Sequence, residues 1–241
     1  EVVTALIPYP DQVQESPTPE AEAKLDDPVT PAPDQGSSDP RDQSPSFELD
    51  VSKLTVLERI QLDPVGNTLS IVVLIGMLFS LVAAGLRWRL AVSRDGEYPP
   101  QVMILVLLLI GICIAGYLSF VETSGTEAVC GPVGDCNTVQ ASDFARLFGI
   151  LPVGILGLIG YFGMLAAWVV ARRSTSVSDY AFLALFGMAL FGTAFSIYLT
   201  FLEPFVIAAT CMWCLSSAII ITAIMLMSVD RARVAYARLR T

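Results

Sequence analysis

Five apolar stretches, at roughly 68–86, 101–121, 152–171, 180–202 and 205–229, constrain the fold of this chain more than any other feature. Each is close to the ~20 residues a helix needs to cross a ~30 Å hydrocarbon layer. Backbone polar groups find no partner in lipid, so each stretch is expected to be a helix that pairs its own N–H and C=O groups. The fold class is therefore read as all-α integral membrane, with five transmembrane helices. Glycines recur in the second to fourth spans (Gly111 and Gly116; Gly154, Gly157, Gly160 and Gly163; Gly187 and Gly192), at spacings that let helix backbones approach closely. No longer repeat is visible, which disfavours an inverted-repeat transporter.

The formal charge of −9 is unevenly placed. Residues 1–67 carry 14 acidic and 4 basic side chains; the remainder carries 9 and 10. The acidic part also holds nine of the fifteen prolines by Pro45. Such a segment buries too little apolar surface to offset the entropy of ordering it, so 1–46 is expected to be a disordered acidic tail. Residues 47–67 form a short amphipathic lead-in to the first span, with Leu54, Leu57 and Ile60 able to share one face. The membrane domain is 68–241. Glu1 stands where a methionine would open a gene product, consistent with a removed signal peptide or a missing upstream domain.

Arginines orient the spans, because short cytoplasmic loops keep positive charge. Arg87, Arg89 and Arg94 follow span one, Arg172 and Arg173 follow span three, and Arg231, Arg233, Arg238 and Arg240 follow span five. These regions are assigned to the cytoplasm. The tail, the 122–151 loop and the Glu203-Pro204 turn then face outward, in a bacterium the periplasmic side of the inner membrane. The surrounding partner is lipid, and no nucleic-acid partner is expected.

Four of the five cysteines fall in two pairs on that outer side, where disulfides form and persist. Cys130 and Cys136 bracket a Gly- and Pro-containing loop, while Cys211 and Cys214 form a Cys-Met-Trp-Cys motif at the start of span five. Thr210 is read as the N-cap of that span, with both cysteines in its first turn, where the helix dipole favours a thiolate. Pro204 is read as the end of span four. Two dithiol couples side by side can pass two electrons in sequence. The chain has no histidine, which excludes imidazole bases and histidine-ligated metal or haem sites. Cys113, in mid-span, is read as a packed apolar residue. Asp135 is expected to face solvent, and Glu122 and Glu203, at span ends, to reach interfacial water, a proton-relay role for either being the alternative.

The stretch from Val102 to Met227 resembles the membrane dithiol:quinone oxidoreductases related to vitamin K epoxide reductase. The resemblance lies in Gly-Tyr-Leu-Ser-Phe at 116–120, the loop pair, Cys-Asn-Thr-Val-Gln-Ala-Ser at 136–142, Phe-Gly-Ile-Leu-Pro-Val-Gly-Ile-Leu-Gly-Leu at 148–158 and Cys-Met-Trp-Cys at 211–214. It implies that spans two to five form a four-helix bundle around a quinone, ubiquinone or menaquinone, with span one peripheral. It implies Cys214 beside the quinone ring, Cys211 as its partner, and Cys130 with Cys136 as the shuttle that meets a reduced protein. Ser142 matches the family's serine near the quinone, on a short capping helix over about 141–148 that is apolar on one side through Phe144, Leu147 and Phe148. Leu215 to Ala218 stand where human-type enzymes have a Thr-Tyr-Ala motif, so the likeness is to the bacterial branch, which reoxidises a thioredoxin-like periplasmic dithiol protein and supports disulfide-bond formation. The chain runs about a dozen residues past span five, so that partner is expected to be separate.

Two other classes use the same residues. A four-thiolate metal site would draw on both pairs, although an oxidising compartment and short internal spacings oppose it, and no metal is expected. A non-catalytic anchor with structural disulfides would tolerate loss of any one cysteine.

Overall fold

Helices that satisfy their own backbones dominate the computed structural model of the protein, and five of them are long and apolar enough to cross a membrane. The structure describes residues 55–90, 101–131, 134–147, 150–174 and 177–240. The acidic tail, the lead-in before Thr55, Arg94 and Phe148 lie outside the described residues.

The elements are α1 (Val56–Leu62), α2 (Pro64–Leu90), α3 (Gln101–Ser124), α4 (Cys136–Ala141), β1 (Arg146–Leu147), β2 (Leu151–Pro152), α5 (Val153–Arg173), α6 (Ser178–Leu202) and α7 (Met212–Leu239). Glu58 opens α1 by accepting from the Thr55 N–H at 2.8 Å, which satisfies a donor that a helix start leaves bare. Pro64 begins α2, four residues earlier than the apolar stretch suggests. A first-turn proline suits this position because its missing N–H would have had no intrahelical acceptor.

Two boundaries differ from the sequence reading. Pro204 does not end span four: Glu203–Ile207 continue it as a π turn, and the chain then leaves through Ala208 at φ 61°. A proline removes one ladder hydrogen bond, and the wider π turn accommodates the gap. Span five therefore starts at Met212 rather than 205, with an extended link in front of it. The second difference is local. The short helix near the loop covers Cys136–Ala141, not 141–148, and is followed by a 3-10 turn, Asp143–Ala145, and a two-residue antiparallel pair in which Arg146 faces Pro152 and Leu147 faces Leu151. Asp135 sets this register, since its carboxylate accepts from the Asn137 and Thr138 N–H groups, both at 3.1 Å.

Four spans close a ring in which α3 packs on α5, α5 on α6, α6 on α7 and α7 back on α3. α2 lies against α6 and α7, outside that ring. Near its end Trp88 stacks on Phe186 of α6 at 5.4 Å, while Asn67 and Ser70 are fully buried near its start. α7 is the most enclosed span, with Ile224, Met225 and Val229 inaccessible to solvent. Outward side chains such as Val72, Ile75, Phe79 and Val82 are exposed and apolar, as a surface in contact with lipid tails must be.

The glycines divide by role. A Cβ at Gly111 would strike the Tyr161 ring, and one at Gly154 would come within 2.6 Å of Glu122 Oε2 and 2.8 Å of the Ser119 nitrogen, so these positions bring α3 and α5 together. Gly160 and Gly187 have nothing within 4 Å of an added Cβ, and both border a cavity. At those two positions the missing side chain makes space instead of contact.

Candidate redox site and cavity

Each of the four paired cysteines sits on a segment fixed by local chemistry. The loop reverses through Gly134 at φ 84°, where a side chain would also collide with the Thr210 carbonyl oxygen. Glycine satisfies both demands. Val129, next to Cys130, is held on both backbone groups: its N–H donates to the Tyr117 hydroxyl at 2.8 Å, and its carbonyl accepts from Trp213 Nε1 at 3.0 Å. The Tyr117 and Trp213 rings lie 4.7 Å apart. Asn137 Oδ1 accepts from the Ala128 N–H at 2.7 Å. The tryptophan between Cys211 and Cys214 thus ties the loop pair to the helix pair, a role its sequence position did not disclose.

Cys211, not Thr210, is the N-cap of α7, and its sulfur accepts from the Cys214 N–H at 3.4 Å. Cys136 begins α4 with its sulfur fully buried against α7, where the Met212 N–H donates to it. The Cys136 N–H in turn donates to the Cys130 sulfur at 3.2 Å. All five cysteines are free thiols, and the four paired ones form a hydrogen-bonded file: Cys130 to Cys136, Cys136 to Cys211, Cys211 to Cys214. Cys136 and Cys211, the two middle members, are buried; Cys130 and Cys214, the two ends, are half-exposed. Among the described residues no three cysteine or acidic groups converge as metal ligands would.

This file is not a nest of thiolates. Burial, then the bond to Cys136, pushes the Cys130 thiol up to about 11. The Cys136 thiol is raised by its hydrogen bond to Cys211 and by burial. At Cys211 the bond from Cys136 acts to lower the value, but the bond to Cys214 and burial outweigh it, so the thiol is raised as well. The helix-start position was expected to favour a thiolate at Cys211. Enclosure among other thiols defeats that expectation, because desolvation disfavours the charged form. The neighbouring Asp135 carboxyl lies below the usual range through its bond from the Thr138 hydroxyl. It is exposed, as expected, yet it serves as a helix cap.

Cys214 opens onto a cavity of about 420 Å³ inside the ring. Leu118, Leu156, Met164, Met188, Phe195 and Ile221 make it overwhelmingly apolar. Ile159 of α5 and Phe191 of α6, both lining residues, are themselves exposed, which marks the α5–α6 side as the open one. Ser142 lines the cavity from the end of α4, with its hydroxyl donating to the Val139 carbonyl at 2.6 Å. Gln140 also borders it, and its Nε2 is buried without a hydrogen-bond partner. Tyr161, bonded through its hydroxyl to Ser217 Oγ at 3.1 Å, adds to a sparse polar set. An apolar chamber with one unused amide donor fits a lipid-soluble ring bearing carbonyl oxygens, since buried donors require acceptors.

Two other expectations change. Glu203 is 2% exposed and lines the cavity instead of reaching interfacial water. Cys113 faces the outside of the bundle rather than packing within it. Glu122 is half-buried and also lines the cavity. Phe144 lines the cavity as its place on the apolar side of the capping segment implies, and is itself exposed.

The geometry converges on one comparison. The family model described as "Vitamin K epoxide reductase family" matches residues 102–229, which run from α3 through most of α7 and contain both cysteine pairs and the cavity lining. That match spans more than half of the chain, and the protein is accordingly an integral membrane oxidoreductase belonging to the vitamin K epoxide reductase family.

Proposed function

We propose that the protein oxidises a thioredoxin-like dithiol protein on the outer face of a bacterial inner membrane and delivers the electrons to ubiquinone or menaquinone, so supporting disulfide-bond formation. The observation that carries this reading is the hydrogen bond between the Cys136 and Cys211 thiols, which joins the loop couple to the helix couple. A thiolate of the reduced partner attacks the half-exposed Cys130 of a Cys130–Cys136 disulfide, and the partner's second thiol resolves the mixed disulfide. The freed Cys136 then attacks Cys211 of a Cys211–Cys214 disulfide, releasing Cys214, and Cys130 resolves the Cys136–Cys211 bond. Each step exchanges one S–S bond for another and moves two electrons inward.

The chain's residues have separate tasks at the far end. Cys214 presents its sulfur to the cavity, Gln140 offers an N–H to a carbonyl oxygen, and the apolar wall excludes water. A bound quinone supplies the two-electron, two-proton acceptor. For a two-electron couple about 30 mV corresponds to roughly 1.4 kcal/mol, so modest potential differences make the relay directional.

The test is to incubate purified protein in lipid with a reduced thioredoxin-like dithiol protein and either quinone, and to follow quinol formation together with free-thiol loss. Equal, thiol-dependent amounts of quinol and partner disulfide are expected. Absence of quinol with both acceptors would remove the proposal.

A further inference from the structure

α2 lies outside the 102–229 match and outside the four-helix ring, which suggests a passive appendage. Its first two turns are not passive. Asn67 and Ser70 are 0% exposed, and both reach Thr210, the residue before Cys211. Asn67 Nδ2 donates to the Arg59 carbonyl at 3.1 Å, which turns Oδ1 toward Thr210. Thr210 Oγ1 donates to that Oδ1 at 3.2 Å. Ser70 Oγ lies 3.1 Å from Thr210 Oγ1 and donates to Glu203 Oε2 at 2.8 Å. Glu203 also accepts from the Cys211 N–H and lines the same cavity as Cys214.

Counting hydrogens along this file gives two arrangements. With Glu203 ionised, Ser70 donates to the carboxylate and Thr210 donates to Asn67, so the 3.1 Å contact between the two hydroxyl oxygens has no hydrogen. With Glu203 protonated, every hydroxyl turns one way: Glu203 donates to Ser70, Ser70 to Thr210 and Thr210 to Asn67. Each contact then carries one hydrogen, and no heavy atom has to move. A hydroxyl is both donor and acceptor and rotates freely, so the switch needs no rearrangement of the fold. Glu122, the other carboxylate on the cavity, accepts from the Gly154 N–H at 2.9 Å and has no comparable hydroxyl file among the described residues.

We propose that Glu203 carries protons between the Cys211–Cys214 dithiol and the ligand of the cavity, and that Ser70 and Asn67 of α2 are its positioning residues. This rests on the quinone-reductase reading above. Oxidation of the pair breaks two S–H bonds, forms one S–S bond and releases two electrons and two protons. The electrons and protons both end on the quinone, giving a quinol. Glu203 starts in the protonated arrangement, in which every contact of the file carries a hydrogen; it gives that proton to a quinone oxygen, is reprotonated by a thiol and so returns to its starting state, once for each proton. No further reactant is needed. In a chain with no histidine, this buried carboxyl accepts from the Cys211 N–H and lines the cavity onto which Cys214 opens.

Two measurements test this. Infrared spectra of quinone-free, reduced protein are expected to contain a protonated-carboxyl C=O band that shifts on ¹³C-glutamate labelling and vanishes in Glu203→Gln. The band should move in Ser70→Ala, because its hydrogen-bond acceptor is gone. In single turnovers from pre-reduced protein, Glu203→Gln should slow quinol formation by about a hundredfold or more. Reduction of its Cys211–Cys214 disulfide by dithiothreitol, and quinone binding read by tryptophan quenching, should stay within about twofold, since the amide keeps the carboxyl's shape. A wild-type spectrum with no labelled carboxyl band, or wild-type turnover in the variant, overturns the proposal. Should the variant fail to fold, the labelled wild-type spectrum still decides. If wild-type protein makes no quinol at all, the quinone-reductase reading fails, whereas the infrared band reports on Glu203 by itself.

Discussion

At Cys130 the ordinary rule for reactive thiols is reversed. Its thiol is raised to about 11, so at neutral pH the fraction present as thiolate is about a hundredfold below that of an unperturbed thiol of the reduced protein. The sign is that of a neutral form favoured by burial: reactivity is low at pH 7 and climbs until the pH passes about 11. Alkylation of reduced protein by iodoacetamide, followed by mass spectrometry across pH, should show Cys130 lagging a free-thiol standard and gaining with each unit of pH. Trp213 offers a second residue-level test. Trp213→Phe removes the bond to the Val129 carbonyl but keeps a ring beside Tyr117. Losing about 1 kcal/mol of positioning should slow loop-to-helix thiol exchange roughly fivefold, as read by quenched alkylation, with little change in melting temperature. The cysteines were legible in the sequence because their chemistry is carried by residue type and spacing. Trp213, Tyr117, Asn137 and Gln140 were not, since their roles depend on which distant backbone group each one meets.

Elements show a similar division between local and distant causes. The spans could be read in advance because lipid leaves a helix no alternative, and four of the five stretches fall within a few residues of the observed helices. The Glu203–Ile207 π turn could not, because whether a proline stops a helix or is absorbed depends on what lies beside it. Here Arg59 of α1 donates to the Phe205 carbonyl at 2.6 Å, satisfying an acceptor within the turn. The glycines make the point testable. Gly187→Leu should fill cavity space and weaken quinone binding by about tenfold or more while leaving the bundle's melting temperature unchanged or higher, because leucine is the better helix former. Gly154→Ala should do the opposite, lowering stability by about 1–3 kcal/mol through overpacking against Glu122 and Ser119. Thermal unfolding and quinone titration of both variants separate the two kinds of glycine.

For the whole molecule, the ring of α3, α5, α6 and α7 places an apolar chamber at one end of a thiol file and a half-exposed loop cysteine at the other. Cys113, outside the file and facing away from the bundle, should be replaceable by alanine with full quinone reductase activity. The most direct measurement concerns the junction of the two couples. In the double variant Cys130→Ala/Cys214→Ala each couple has lost its second sulfur, so a Cys136–Cys211 disulfide formed under mild oxidation has no resolving thiol on either side. Non-reducing peptide mapping of that variant should recover the 136–211 cross-link as the main species. Recovery of Cys136 and Cys211 mainly as free thiols would contradict a relay that runs through the Cys136–Cys211 contact.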